Sequence, residues 1–89
     1  MLKVFQPRYR LKDTIGAWIN ISPSTKKSFN TKGGASLAIN REKKHKELEN
    51  RWHERAVEEG REEEWTNPEY EYQIAIDIYR FVATEIIDV

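Results

Sequence analysis

The chain of 89 residues contains no cysteine. Disulfides, cysteine-based zinc sites and thiol chemistry are therefore excluded. No stretch approaches the roughly 18 apolar residues of a membrane span, and the N-terminus lacks the apolar run of a signal peptide. The expectation is a cytoplasmic protein with no membrane partner. There is no internal repeat and no low-complexity linker apart from the acidic "EEGREEE". No Ser-His-Asp order stands out, and no carboxylate pair is marked by its surroundings. His45, Glu49 and His53 share a helical face, but spread over two turns they cannot all reach one ion. We therefore expect no enzyme, no metal and no cofactor.

What is present bounds the answer from the other side. The length fits one domain, 1–89, with a small core, since a chain this short buries about 60% of its unfolded surface. Charged residues make up 34% and hydrophobic ones 38%. Three Trp, four Tyr and three Phe supply enough bulk to take the chain out of the disordered class. The formal net charge of zero hides a polarity. Residues 1–46 carry 11 Lys or Arg against Asp13 and Glu42, a balance of +9; residues 47–89 carry 4 Arg against 13 acids, a balance of −9. Either a charged partner is implied, or the two halves neutralise each other across the fold.

Two short runs alternate. In "RYRLK", Arg8, Arg10 and Lys12 fall on one side, Tyr9 and Leu11 on the other; in "AWINIS", Ile19 and Ile21 oppose Trp18, Asn20 and Ser22. Period two predicts half-buried strands. The intervening "KDTIGA" carries a turn signal. The spacing predicts an antiparallel hairpin with Tyr9, Leu11, Ile19 and Ile21 inward, starting or edged at Pro7. "LKVF" and "KKSFN" are candidates for further strands, which would give a three-stranded sheet within a basic region, 1–32.

From Ser36 the chain runs 24 residues without Pro or Gly before Gly60. This predicts a charged helix over 36–60, about 36 Å long, with Ala38, Leu48, Trp52 and Ala56 as a narrow apolar stripe beside Leu37. In the last segment, polar residues recur at Glu69, Gln73, Asp77, Arg80, Thr84 and Asp88. Their spacing predicts an amphipathic helix over 67–88, capped through "TNPE", with Tyr72, Ile74, Ile78, Phe81, Val82 and Ile86 as most of the core. The expected fold class is α+β: a small N-terminal antiparallel hairpin or three-stranded sheet, a long central helix and an amphipathic C-terminal helix.

The candidate sites follow from these faces. Arg8, Arg10 and Lys12 would repeat about every 7 Å along a strand, near the spacing of successive phosphates. Trp18 could stack on a base and Asn20 could read a base edge. Lys26, Lys27 and Lys32 would add phosphate contacts, and "KGGAS" could form an anion nest at the helix entry. The order Gly16, Trp18, Ile19, then Lys26, Lys27, Phe29, Thr31, Lys32 and Ala35 resembles the AP2-like arm-binding domains of phage integrases, over residues 8–50. That resemblance implies a three-stranded sheet backed by a helix and contacting DNA through the sheet. The runner-up site is acidic: Glu58, Glu59, Glu62, Glu63 and Glu64, with Glu69 and Glu71 nearby and Trp65 as an anchor. Such a surface is similar to the phosphate-mimicking faces of small phage-encoded inhibitors. Two functions are thus expected to compete: a non-enzymatic accessory protein that binds nucleic acid, or an inhibitor or adaptor that docks on a host nucleic-acid-processing protein.

Overall fold

The computed structural model describes residues 3–21, 29–80 and 82–89. Its elements are β1 (Phe5–Leu11), β2 (Ile19–Asn20), α1 (Lys32–Glu58), β3 (Tyr70–Ile76) and β4 (Glu85–Asp88). The strands form one antiparallel sheet in the order β2-β1-β3-β4. The helix covers one face of it. The class is α+β, as expected.

β1 and β3 are the two central strands, paired from Phe5↔Ile76 to Leu11↔Tyr70. Tyr72, Ile74 and Ile76 of β3 meet Ala35 and Ile39 of α1, with Phe5, Tyr9, Tyr70 and Ile87 packed around them. Ile39 and Ile74 are fully buried. Pro7 is buried too, inside β1 rather than at its start. Its missing N–H faces the β2 side, where the Pro7 carbonyl still accepts from Ile21 at 2.9 Å. The buried Gln6 side chain reaches into this gap: its amide donates to Pro7 O at 3.0 Å and, at 3.5 Å, to Ile21 O. A side chain thus compensates the donor that proline lacks.

The expected C-terminal helix is absent: the segment forms β3, a turn and β4. Its residues obey period two as well as period 3.6. Tyr70, Tyr72, Ile74 and Ile76 face α1, while Glu71, Gln73 and Ala75 face away. β-branched and aromatic side chains suit a pleated, two-sided position. Asp77 and Arg80 take left-handed backbone angles (φ 52° and 51°) that no helix could continue through. The Tyr79–Val82 bridge closes the turn, and the Thr84 hydroxyl donates to Ile76 O at 3.1 Å. Of the expected core, Tyr72 and Ile74 are buried, Ile78 is half-buried, and Val82 and Ile86 are exposed; Phe81 lies outside the described residues.

The helix starts four residues earlier than its sequence predicts. Thr31 caps it, accepting from the Gly34 N–H at 3.1 Å. It ends in a Schellman motif: Gly60 (φ 75°) donates to Val57 O at 3.1 Å and Arg61 to Ala56 O at 2.8 Å. The buried stripe also differs from expectation. Of the expected stripe, Ala56 is buried and Ala38 packs against the core, but Leu48 and Trp52 are 60% and 56% exposed, and Ala35, Ile39, Glu42 and Lys46 face the sheet side instead. At about 40 Å the helix outruns the sheet, and its second half rests on the segment 61–67 instead. There the Trp65 and His53 rings stack at 3.7 Å, Trp65 Nε1 donates to Asn50 at 3.3 Å, and Asn67 donates to Glu54 at 2.8 Å. The molecule is correspondingly elongated, 54 × 27 × 18 Å. No helix among the described residues is long and apolar enough to cross a membrane.

Candidate interaction surfaces

Strand register assembles the first candidate site. Arg8 lies across from Asn20 on one side and Gln73 on the other; Arg10 lies across from Glu71. Trp18, just before β2, sits against Arg10, whose guanidinium is 4.2 Å from the ring centroid, with that of Arg8 at 6.0 Å. Arg8, Arg10, Lys12, Trp18 and Asn20 therefore gather around the sheet face that α1 leaves open. Lys32 does not join them: it is the first residue of α1, on the other side. Lys26 and Lys27 lie outside the described residues.

The same register brings in acids that the sequence places sixty residues away. Arg10 Nε pairs with Glu71, and Lys12 Nζ lies 3.8 Å from Glu69. In the amide orientation that its neighbours demand, Gln73 Oε1 accepts from Arg8 Nε at 2.9 Å, Arg8 Nη2 at 3.2 Å and Trp18 Nε1 at 3.0 Å. Burial lowers the Arg8 pKa from its ordinary value. Among the described residues Arg8 has no carboxylate within ion-pair distance, while its two neighbours are neutralised. The face is polar and of mixed charge, a different object from the basic strip that β1 alone suggests.

The acidic candidates are also partly engaged. Glu59 holds both Arg55 (3.1 Å) and Arg61 (2.8 Å), and Glu62 holds His53 Nδ1 at 2.9 Å. Glu58, Glu63 and Glu64 are exposed. Trp65 is half-buried by its stack on His53, so it ties the turn to the helix. Trp52 is the more exposed aromatic. The candidate anion nest is occupied in part, since Thr31 takes the Gly34 N–H. No group of three His, Cys, Asp or Glu among the described residues is arranged to hold a metal.

Between helix and sheet lies one further polar cluster, which no sequence pattern announced. Lys46 Nζ is 4.5 Å from the ring centroids of both Tyr9 and Tyr70 and 3.1 Å from Glu42. Burial lowers the ammonium pKa, but the hydrogen bond and charge of Glu42, with Tyr9 and Tyr70, outweigh it and hold it above the ordinary lysine value. Burial also raises the Tyr72 phenol. No family model, curated protein or solved structure matches this chain.

Proposed function

We propose that this chain is a small non-enzymatic binding module whose partner is a protein, an adaptor or inhibitor that docks through the open sheet face around Trp18. The observation that carries this reading is the cross-strand pairing of Arg10 with Glu71 and Lys12 with Glu69. A face whose cations are matched by carboxylates has little net attraction for a polyanion. Tryptophan and arginine on a mixed-charge surface instead suit a protein interface, where these two residue types dominate binding energy. The acidic turn at Glu58–Glu64 would then be a rim or a solvated helix end.

Nucleic-acid binding is the second reading. Arg8, without a carboxylate partner among the described residues and beside Trp18 and Asn20, favours it, as does the resemblance to the integrase arm-binding domains, which use a sheet face opposite a helix. One paired experiment separates the two. A photo-crosslinker at Asn20 is expected to capture a discrete protein, with the adduct lost in Trp18→Ala. Mobility shifts with duplex and single-stranded oligonucleotides, run over a salt series, are expected to show no complex near physiological salt. A steeply salt-dependent complex weakened by neutralising Arg8 would instead establish the second reading. Turnover of a nucleic acid by the purified protein with magnesium would overturn both.

A further inference from the structure

On the helix side of the sheet, away from the Trp18 face, a cavity of about 640 Å³ opens along the first turns of α1. Gly34, Leu37, Ala38 and Arg41 form its helix wall, and Ile21 and Phe29 face them. Helical spacing keeps one face of α1 along the cavity as far as His45, about 16 Å beyond Gly34. Gly34 and Ala38 are too small to fill the gap, and Ile21 and Phe29 give it an apolar floor. The charge gathers at one end. Arg41 and His45, one turn apart, both line the cavity, and neither makes an ion pair among the described residues. The one carboxylate in the lining, that of Glu42, is held by Lys46 at 3.1 Å.

We propose that this cavity binds a small apolar molecule bearing one carboxylate, its apolar body between Ile21, Phe29 and Ala38 and its carboxylate at Arg41 and His45. The volume is in the range that small ligands fill, and apolar walls with a few convergent polar groups are the usual make-up of such sites. Arg41 sets the sign of the ligand. A guanidinium without a counter-ion gains a two-point, charge-assisted pair from a carboxylate and only repulsion from an ammonium. Glu42 does not oppose this, since Lys46 already neutralises it. The floor sets the class of the body. A free phosphate or a sugar would leave Ile21 and Phe29 wet, whereas each methylene buried against them strengthens binding up to about fourfold. The site lies across the sheet from Trp18, so it stands or falls apart from the protein-docking reading above.

Titration of the full chain with sodium decanoate, followed by backbone amide NMR shifts, tests this. Saturable shifts are expected to centre on Gly34, Ala38 and Arg41 and to leave Glu71 and Gln73 unmoved. Octanoate is expected to bind more weakly than decanoate, and decylammonium at least roughly tenfold more weakly. Arg41→Gln, at an exposed helix position, is expected to keep the parent's circular dichroism and to lose roughly tenfold in decanoate affinity. Arg41→Glu is expected to reverse the preference, toward decylammonium. The absence of saturable shifts at millimolar decanoate overturns the proposal. So do shifts centred on the Trp18 face, equal binding of the acid and the amine, or an Arg41→Gln variant that binds as the parent does. The same shifts on concentrating the chain alone would overturn it too, by giving the cavity to a second copy.

Discussion

The Lys46 side chain lies between helix and sheet, only 14% exposed, with Tyr9 and Tyr70 as walls and Glu42 as counter-ion. Its raised pKa and the raised Tyr72 phenol act in the same direction on stability. A group whose pKa is higher in the folded state contributes fully below its unfolded value and loses that contribution as pH rises through the folded one. Thermal melts from pH 8 upward are therefore expected to hold steady and then fall from about pH 10. Lys46→Met should flatten part of that fall and cost about 1–2 kcal/mol near neutrality, through the lost cation–π contacts and a stranded Glu42. An unchanged alkaline profile in the variant would show that the cluster does not hold the helix down. The glycines at the helix entry offer a second contrast. A methyl at Gly33 meets nothing within 4 Å, while one at Gly34 would lie 3.1 Å from Phe29 Cδ1 and 3.2 Å from Thr31 Oγ1. Gly33→Ala should stabilise by about 0.5–1 kcal/mol in urea unfolding. Gly34→Ala should destabilise by a comparable amount, because the capping threonine and a core phenylalanine must both give way.

Elements were legible where one period excluded the other. The alternation of Arg8, Tyr9, Arg10 and Leu11 placed a strand, and the uninterrupted run before Gly60 placed a helix and its end. Residues 70–76 satisfied both periods, and the intervals of the more distant polar residues decided wrongly. Those intervals had no helical meaning, since Asp77, Arg80 and Thr84 belong to a turn. Gln73, on the face of β3 away from α1, is buried by the side chains of Arg8 and Trp18 beside it, and no pattern within the segment announces those partners. The helix misled in another way: its buried stripe contains Glu42 and Lys46, which hydropathy assigns to solvent, while Leu48 and Trp52, the largest members of the expected apolar stripe, point outward. Single substitutions distinguish the strand from the helix in solution. A helix over 67–88 would bury Ile74 and Ile86 alike, whereas here Ile74 is fully buried and Ile86 is 47% exposed. Ile74→Ala is expected to cost about 2–5 kcal/mol and Ile86→Ala under about 1 kcal/mol in chemical denaturation. Equal costs would contradict this sheet.

At the scale of the whole molecule, the opposite charges of the two halves meet across the central strand pair. The basic strand lies beside the acidic one, so two cations of the first half meet two acids of the second as cross-strand pairs, Arg10–Glu71 and Lys12–Glu69. Such half-exposed pairs contribute little stability, about 0.5–1 kcal/mol each. Their larger consequence concerns what the sheet face attracts. With both acids ionised, Arg8 is, among the described residues, the one cation of Arg8, Arg10 and Lys12 left without a carboxylate; with both neutral, the three would present cations about 7 Å apart beside an aromatic ring. Glu69→Gln combined with Glu71→Gln keeps the shape of both side chains and removes only charge. This double variant is expected to fold with a stability loss of at most about 2 kcal/mol, and to bind single-stranded or duplex oligonucleotides with a salt-sensitive affinity well above that of the unsubstituted chain. Titration of a labelled oligonucleotide at low and physiological salt measures both proteins in one series. Equal binding by the two would mean that the acids do not govern the character of this face, and the choice of a protein partner over a nucleic acid would lose its physical basis.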